Sequence, residues 1–127
     1  MNIFRFCALS LLTVALVAPA ANAGEKKLMH CFAFTPIKGA TQADWDNFYK
    51  ATDQLPKKIR GVSHVWYGKL ASPMGHGDTA REYGVCMEMA DQATLDAYGK
   101  APYHDEWKKA YEKVRVEGTT TFNILGQ

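Results

Sequence analysis

Residues 97–107 contain the strongest chemical signal in the chain, a tyrosine and a histidine on either side of a predicted helix break. Gly99 is typical of a helix end, and Pro102 is typical of the first position of the next helix. The break brings Tyr98 and His104 close together. His104 lies in the first turn of the second helix, where the positive end of the helix dipole disfavours protonation. A neutral imidazole both accepts and donates hydrogen bonds, so the pair could do acid–base chemistry.

The other histidines give weaker signals, and each has a structural interpretation. His30 shares a strand face with Phe32, which is also typical of a core histidine with one backbone partner. His76 lies between two glycines, so we expect it to be exposed to solvent. Tyr98 and His104 also keep a structural alternative, in which each only satisfies a neighbouring polar group. The four scattered histidines predict no metal site, because they lack an i, i+4 pair or close carboxylates.

Residues 1–23 have the features of a secretory signal peptide. Arg5 gives a positive start, residues 8–17 are apolar, and residues 21–23 read Ala-Asn-Ala, the small-x-small form of a cleavage site. The apolar run is shorter than the roughly 20 residues that span a bilayer, although a retained anchor is the alternative. We therefore expect residues 24–127 to form one mature domain that is secreted or periplasmic and makes no membrane contact after cleavage.

Charge and cysteine content narrow the possible partners. Without Arg5 the chain keeps 14 basic and 13 acidic residues, a net charge of +1. This charge gives no electrostatic basis for binding nucleic acid. Cys31 and Cys86 remain after cleavage, and an oxidising compartment permits a disulfide between them, with two packed free thiols as the alternative. No cofactor is predicted.

Apolar periodicity predicts four strands and two helical regions. In chain order these are a strand over 28–34, a helix over 41–55, strands over 62–70 and 82–89, a helical region over 91–114 broken at Gly99, and a strand over 118–125. Residues 71–81 are predicted to form a mobile hairpin loop. The β-α-β-β-α-β order predicts a ferredoxin-like α+β fold, with both helical regions on one face of the sheet and strands one and three at its centre.

The second face of this sheet is also apolar. Met29, Cys31 and Ala33 point there from the first strand, and Cys86 points there from the third. Such residues need a cover, and two sheets pack face to face about 10 Å apart. We therefore expect a homodimer that forms through the open sheet face.

Several short motifs, in this order, resemble the stress-responsive A/B barrel family, also called Dabb. They are His30 in the opening strand, Leu55-Pro56 followed by Gly61-Val62, Trp66-Tyr67-Gly68, the strand over 83–88, and Tyr98-x-x-x-Pro102-x-His104. The resemblance covers residues 28–125. It implies a dimeric α+β barrel built from two ferredoxin-like halves.

Some members of that family act as polyketide cyclases, and the resemblance implies a pocket between the sheet and the helices. In such a pocket Tyr98 and His104 would do acid–base work, and His30 would be a further pocket histidine. The other candidate ligand-binding residues are apolar or aromatic: Phe32, Phe48, Tyr49, Val85 and Trp107.

Two positions depart from the cyclase pattern. Val85 stands where the cyclases have a histidine, and Phe48 replaces a tyrosine, although Tyr49 is adjacent. The departures favour a binding module for a small apolar or aromatic ligand. The alternatives are an enzyme of polyketide-cyclase or small-monooxygenase type that uses Tyr98 and His104, and a structural or stress-associated protein without turnover.

Overall fold

The computed structural model describes residues 27–127, so the predicted signal peptide over 1–23 lies outside the described residues. The elements are β1 (Leu28–Phe34), α1 (Gln42–Lys58), β2 (Val62–His76), β3 (Thr79–Met89), α2 (Gln92–Tyr98), α3 (Pro102–Tyr111) and β4 (Thr120–Leu125). In this part of the chain no helix has the length and apolar character that crossing a membrane requires.

The four strands form one antiparallel sheet in the order β2-β3-β1-β4. The predicted ferredoxin-like α+β fold is therefore confirmed, with β1 and β3 at the centre. One face of the sheet carries the core, which packs against the helices. Its largest fully buried side chains are Phe34, Phe48, Leu28, Leu55, Met87, Met89, Val85, Val114 and Thr52.

Helix α1 begins as the sequence predicted but ends later. Thr41 accepts a hydrogen bond from the Asp44 backbone at 3.2 Å, and the Asp44 carboxylate accepts one from the Thr41 backbone at 2.9 Å. The predicted end at Leu55 is wrong, because the helix continues through Pro56 to Lys58. Leu55 is fully buried, and its carbonyl accepts a 2.9 Å bond from Ile59. Core packing of this last turn outweighs the proline.

The hairpin predicted over 71–81 is present, but the predicted length of its loop is wrong. Strands β2 and β3 continue through this segment and leave a two-residue turn at Gly77 and Asp78, where Gly77 takes a φ of 58°. Glycine in such a turn supplies the positive φ that a tight hairpin needs. The strand pairing is irregular between Lys69 and Met74 and then resumes to the turn. His76 is exposed, as predicted.

The open sheet face, opposite the helices, carries the two cysteines and several apolar side chains. Cys31 and Cys86 are direct cross-strand neighbours with Cα atoms 4.1 Å apart, and the structure joins them in a disulfide. Beside them Trp66 is 53% exposed, Phe122 44% and Ile124 54%. The single chain therefore presents an uncovered apolar surface around its disulfide.

Candidate functional site

A cavity of about 170 Å³ lies between the sheet and the α2–α3 segment. Its lining residues are His30, Phe32, Tyr98, His104, Trp107, Tyr111, Thr119 and Thr121. A dry apolar cavity of about 150 Å³ is enough to hold benzene. The cavity is therefore the size of one six-membered ring with a small substituent.

The helix break positions the two central side chains of this cavity. Helix α2 ends at Tyr98 with Gly99 as its cap, and α3 begins at Pro102. The Ala101 backbone donates to the Tyr98 carbonyl at 3.2 Å, and the His104 backbone donates to the Ala101 carbonyl at 2.9 Å. These bonds make the turn tight. The Tyr98 and His104 rings meet edge to face with centroids 4.7 Å apart, as the break predicted.

His104 is held in its neutral form. Burial lowers the pKa of its imidazole; Asp105 opposes this effect, and Lys108 and His30 add to it. The sequence predicted a neutral ring from the helix dipole, and burial is a cause that the sequence did not reveal. Nδ1 of His104 is buried and has no hydrogen-bond partner among residues 27–127. Buried ring nitrogens ordinarily have a hydrogen-bond partner, so this atom is available to bond a ligand.

Tyr98 is the second unused polar group. Only 5% of its surface is exposed, and its hydroxyl has no partner within the described part of the chain. Burial raises the pKa of the Tyr98 phenol far above its usual range, so the oxygen keeps its proton. A protonated hydroxyl and a neutral imidazole therefore stand side by side, one able to donate and the other able to accept.

His30 lies on the opposite side of the cavity, with its ring centroid 5.5 Å from that of Tyr98. Its Nδ1 lies 2.7 Å from the side-chain oxygen of Asn123. Because an amide oxygen only accepts, Nδ1 carries the proton and Nε2 remains an acceptor in the neutral ring. His30 is thus held by a side chain rather than by the backbone partner of the structural alternative.

Sequence reasoning missed Asn123. It stands directly opposite His30 across β1 and β4, a pairing that joins residues 93 positions apart. Tyr111, Thr119 and Thr121 were likewise absent from the predicted ligand-binding set. Thr121 reaches the cavity from β4 and Thr119 from the residue before that strand, so only the folded structure reveals them.

The predicted ligand-binding residues divide into two groups. Phe32 and Trp107 line the cavity together with His30. Phe48 and Val85 lie in the core, each 1% exposed, and do not line it. Tyr49 stacks on Tyr67 with ring centroids 5.2 Å apart and does not line the cavity either.

The core nevertheless positions the cavity wall. The Trp107 indole N–H donates to the Thr52 hydroxyl at 3.0 Å, and that hydroxyl donates to the Phe48 carbonyl at 2.7 Å. Trp107 also stacks on Tyr111 at 4.8 Å. These contacts hold Trp107 and Tyr111 in place in the absence of a ligand. Within residues 27–127 no cluster of three or more His, Cys, Asp or Glu is arranged to hold a metal ion.

We expect the lowered pKa of His104 to appear in the pH dependence of stability. In the folded state the His104 pKa is lower than its ordinary value of 6.5, whereas in the unfolded chain the imidazole keeps that ordinary value. The neutral ring therefore favours folding above about pH 6.5, and this contribution is lost as the pH falls through the lowered folded pKa. Urea denaturation of the wild type and of His104→Asn, run from pH 7.5 to 5, should show a steeper loss in the wild type. An equal loss of stability with falling pH in the two proteins would contradict this prediction.

Comparison with known proteins shows the family and the fold of the chain. The model of the stress responsive A/B barrel domain family matches residues 28–121. No curated protein sequence matches the chain.

Solved structures show the same fold at low identity. A Dabb family protein with a ferredoxin-like fold from Mesorhizobium loti is 21% identical with a TM-score of 0.63, covering 81% of this chain and 99% of that one. A hydroxynitrile lyase from Passiflora edulis is 13% identical with a TM-score of 0.65, covering 82% and 95%. A dimeric protein of unknown function from Bacteroides fragilis is 17% identical with a TM-score of 0.59, covering 78% and 95%.

Proposed function

This chain belongs to the stress responsive A/B barrel (Dabb) family, and from that premise we propose that it is an exported homodimeric domain that binds a small aromatic or apolar ring beside Tyr98 and His104. The observation that carries this proposal is the pair of buried polar atoms, the Tyr98 hydroxyl and His104 Nδ1, that have no partner in residues 27–127. Leaving such groups unpaired costs about 1–3 kcal/mol each. A ligand with a hydroxyl or carbonyl group would recover that cost.

The remaining lining defines the rest of the ligand. Phe32 and Trp107 meet edge to face with centroids 5.6 Å apart and offer apolar contact to a flat ring. Small-molecule pockets combine such walls with a few placed polar groups. With about 170 Å³ of space, the ligand is one ring with a small polar substituent.

The proposals on export and assembly have separate support. The Cys31–Cys86 disulfide suits an oxidising compartment, in agreement with the predicted signal peptide over 1–23. The apolar open face around Trp66 and Ile124 suits a second copy of the same chain. Similar ferredoxin-like structures are described as dimers.

Calorimetric titration of residues 24–127 with benzyl alcohol tests the binding proposal. Tyr98→Phe removes the hydroxyl that would bond the ligand, so we expect binding to weaken about fivefold to tenfold. Stability should not fall, because the removed hydroxyl has no partner in the described chain.

Tyr103→Phe is the matched control. Its hydroxyl donates to the Ala51 carbonyl at 3.0 Å, outside the cavity lining. This variant should lose about 1 kcal/mol of stability and keep its affinity for benzyl alcohol. Equal effects of the two substitutions on both quantities would contradict the proposed role of Tyr98.

A second candidate function is acid–base catalysis in the same cavity. The neutral His104 beside Tyr98 favours it, since the imidazole can take a proton while the Tyr98 O–H donates a hydrogen bond to the substrate. The Passiflora edulis relative in fold is a hydroxynitrile lyase. Release of an aldehyde and cyanide from an α-hydroxy nitrile, lost in His104→Asn with the fold intact, would support this alternative. The cyclase or monooxygenase alternatives stay predictions.

A further inference from the structure

Arg81 is a buried cation that the proposed function does not use. It is 4% exposed, and its guanidinium donates to the Thr120 hydroxyl at 3.3 Å and to the Thr35 hydroxyl at 3.2 Å. Within residues 27–127 no carboxylate lies within 4.0 Å of it. Burying a charge without a paired anion is costly, so a guanidinium in this position favours an anion nearby.

Arg81 stands directly behind one end of the ligand cavity. Its Nε reaches the Thr120 side chain, and its Nη2 lies 3.5 Å from where a Cβ on Gly118 would stand. The guanidinium therefore contacts Thr120 and lies close to Gly118, the residues on either side of Thr119. Thr119 itself lines the cavity, and its hydroxyl lies 2.9 Å from that of Tyr111.

A second arginine flanks the same end from the helix side. The Arg115 guanidinium carbon lies 4.7 Å from the centre of the Tyr111 ring, and its Nε is buried without a partner in the described residues. Its nearest acid, Glu112, is 3.8 Å away and also pairs with Lys108 at 3.7 Å. The negative charge of Glu112 is thus shared between two cations.

Both arginines act electrostatically on the Tyr111 phenol. Burial raises the pKa of its phenol, while the Thr119 hydrogen bond and then Arg115 and Arg81 lower it. Both cations therefore act at the cavity wall. At the other end of the cavity His104 is neutral. The two arginines therefore flank the Tyr111–Thr119 end of the cavity, and the polar, uncharged Tyr98 and His104 lie at its other end.

We propose that the pocket takes a small planar carboxylate, with the carboxylate at the Tyr111–Thr119 end and the ring against Phe32 and Trp107. The two hydroxyls at that end share one hydrogen bond, so the second hydroxyl proton is free to be donated to a carboxylate oxygen. A hydrogen bond to an ionised acceptor is about twice as strong as a neutral one. Arg81 and Arg115 act from behind the wall as specificity residues. This inference rests on the proposed function and narrows its ligand class.

Calorimetry with benzoate and benzamide tests the inference, because the two probes have nearly the same shape and differ in charge. We expect the wild type to bind benzoate at least tenfold more tightly than benzamide at pH 7.5. Arg81→Gln should remove that preference and leave the affinity for benzamide unchanged, whereas Arg81→Lys should keep most of it. Arg115→Gln should reduce the preference in the same direction.

The outcomes separate this inference from the proposed function. A preference that survives both glutamine substitutions would overturn the specificity role of Arg81 and Arg115. Equal affinities for the two probes in the wild type would overturn the carboxylate assignment. If benzyl alcohol still binds in that case, the ring pocket stands and only the anion preference fails. Failure of all three probes would overturn the proposed function itself. Should Arg81→Gln not fold, the wild-type comparison and Arg115→Gln decide the question.

Discussion

Replacing Cys31 and Cys86 together with alanine is expected to lower the free energy of unfolding by about 4 kcal/mol. The disulfide joins positions 55 residues apart, and it lies across β1 and β3, the two central strands of the sheet. In the chain-entropy description, a link across a loop of that length removes many conformations from the unfolded state and so favours folding. Urea denaturation at equal protein concentration measures the difference, since the stability of a dimer depends on concentration.

Reduction provides the internal control for this prediction. Dithiothreitol should bring the wild type close to the stability of the double variant and leave the variant itself unchanged. A difference below about 1 kcal/mol in the free energy of unfolding between wild type and variant would contradict the prediction. It would mean that residual strand pairing already restricts the unfolded chain, so that the disulfide adds little.

Introducing a carboxylate on the open sheet face should convert the dimer into a monomer. Trp66 and Ile124 are 53% and 54% exposed in the single chain, and in the proposed dimer both would be covered. Trp66→Asp or Ile124→Asp would bury a charge without a partner and remove apolar contact. A two-fold interface contains each substitution twice, so a loss of about 2 kcal/mol per copy weakens the dimer roughly a thousandfold.

Val116→Asp is the matched control for these variants. Val116 is 46% exposed but lies outside the four strands of the sheet. Analytical ultracentrifugation at micromolar concentration should show monomers for Trp66→Asp and Ile124→Asp and dimers for the wild type and Val116→Asp. Dimers for all four proteins would place the interface elsewhere.

The elements that the sequence predicted well depend on local patterns. The strand over 28–34 and the capping box of α1 are readable from neighbouring residues. The two errors arose where local signals were outweighed by contacts between distant residues. Pro56 suggested a helix end, but the buried Leu55 holds the last turn in place; the glycines near 75–77 suggested a loop, but strand pairing continues up to a two-residue turn.

The same distinction applies to the site. Tyr98 and His104 could be placed together because they are six positions apart in the sequence and a short helix break sets their geometry. Asn123 and Thr121 could not, because the register of β4 against β1 places Asn123 beside His30 and Thr121 at the cavity. Arg81 had no local signal, since its meaning comes from its burial beside β4.

The most direct test of the central claim follows the indole N–H resonances of ¹⁵N-labelled protein during titration with benzyl alcohol. Trp107 lines the cavity, whereas Trp45 packs against Tyr83 at 4.6 Å and Trp66 lies on the open sheet face. Trp107→Phe assigns the relevant resonance. The ring-binding account predicts a saturable shift of the Trp107 signal, with little change at Trp45 and Trp66. No shift at saturating ligand, or a shift confined to Trp66, would contradict it.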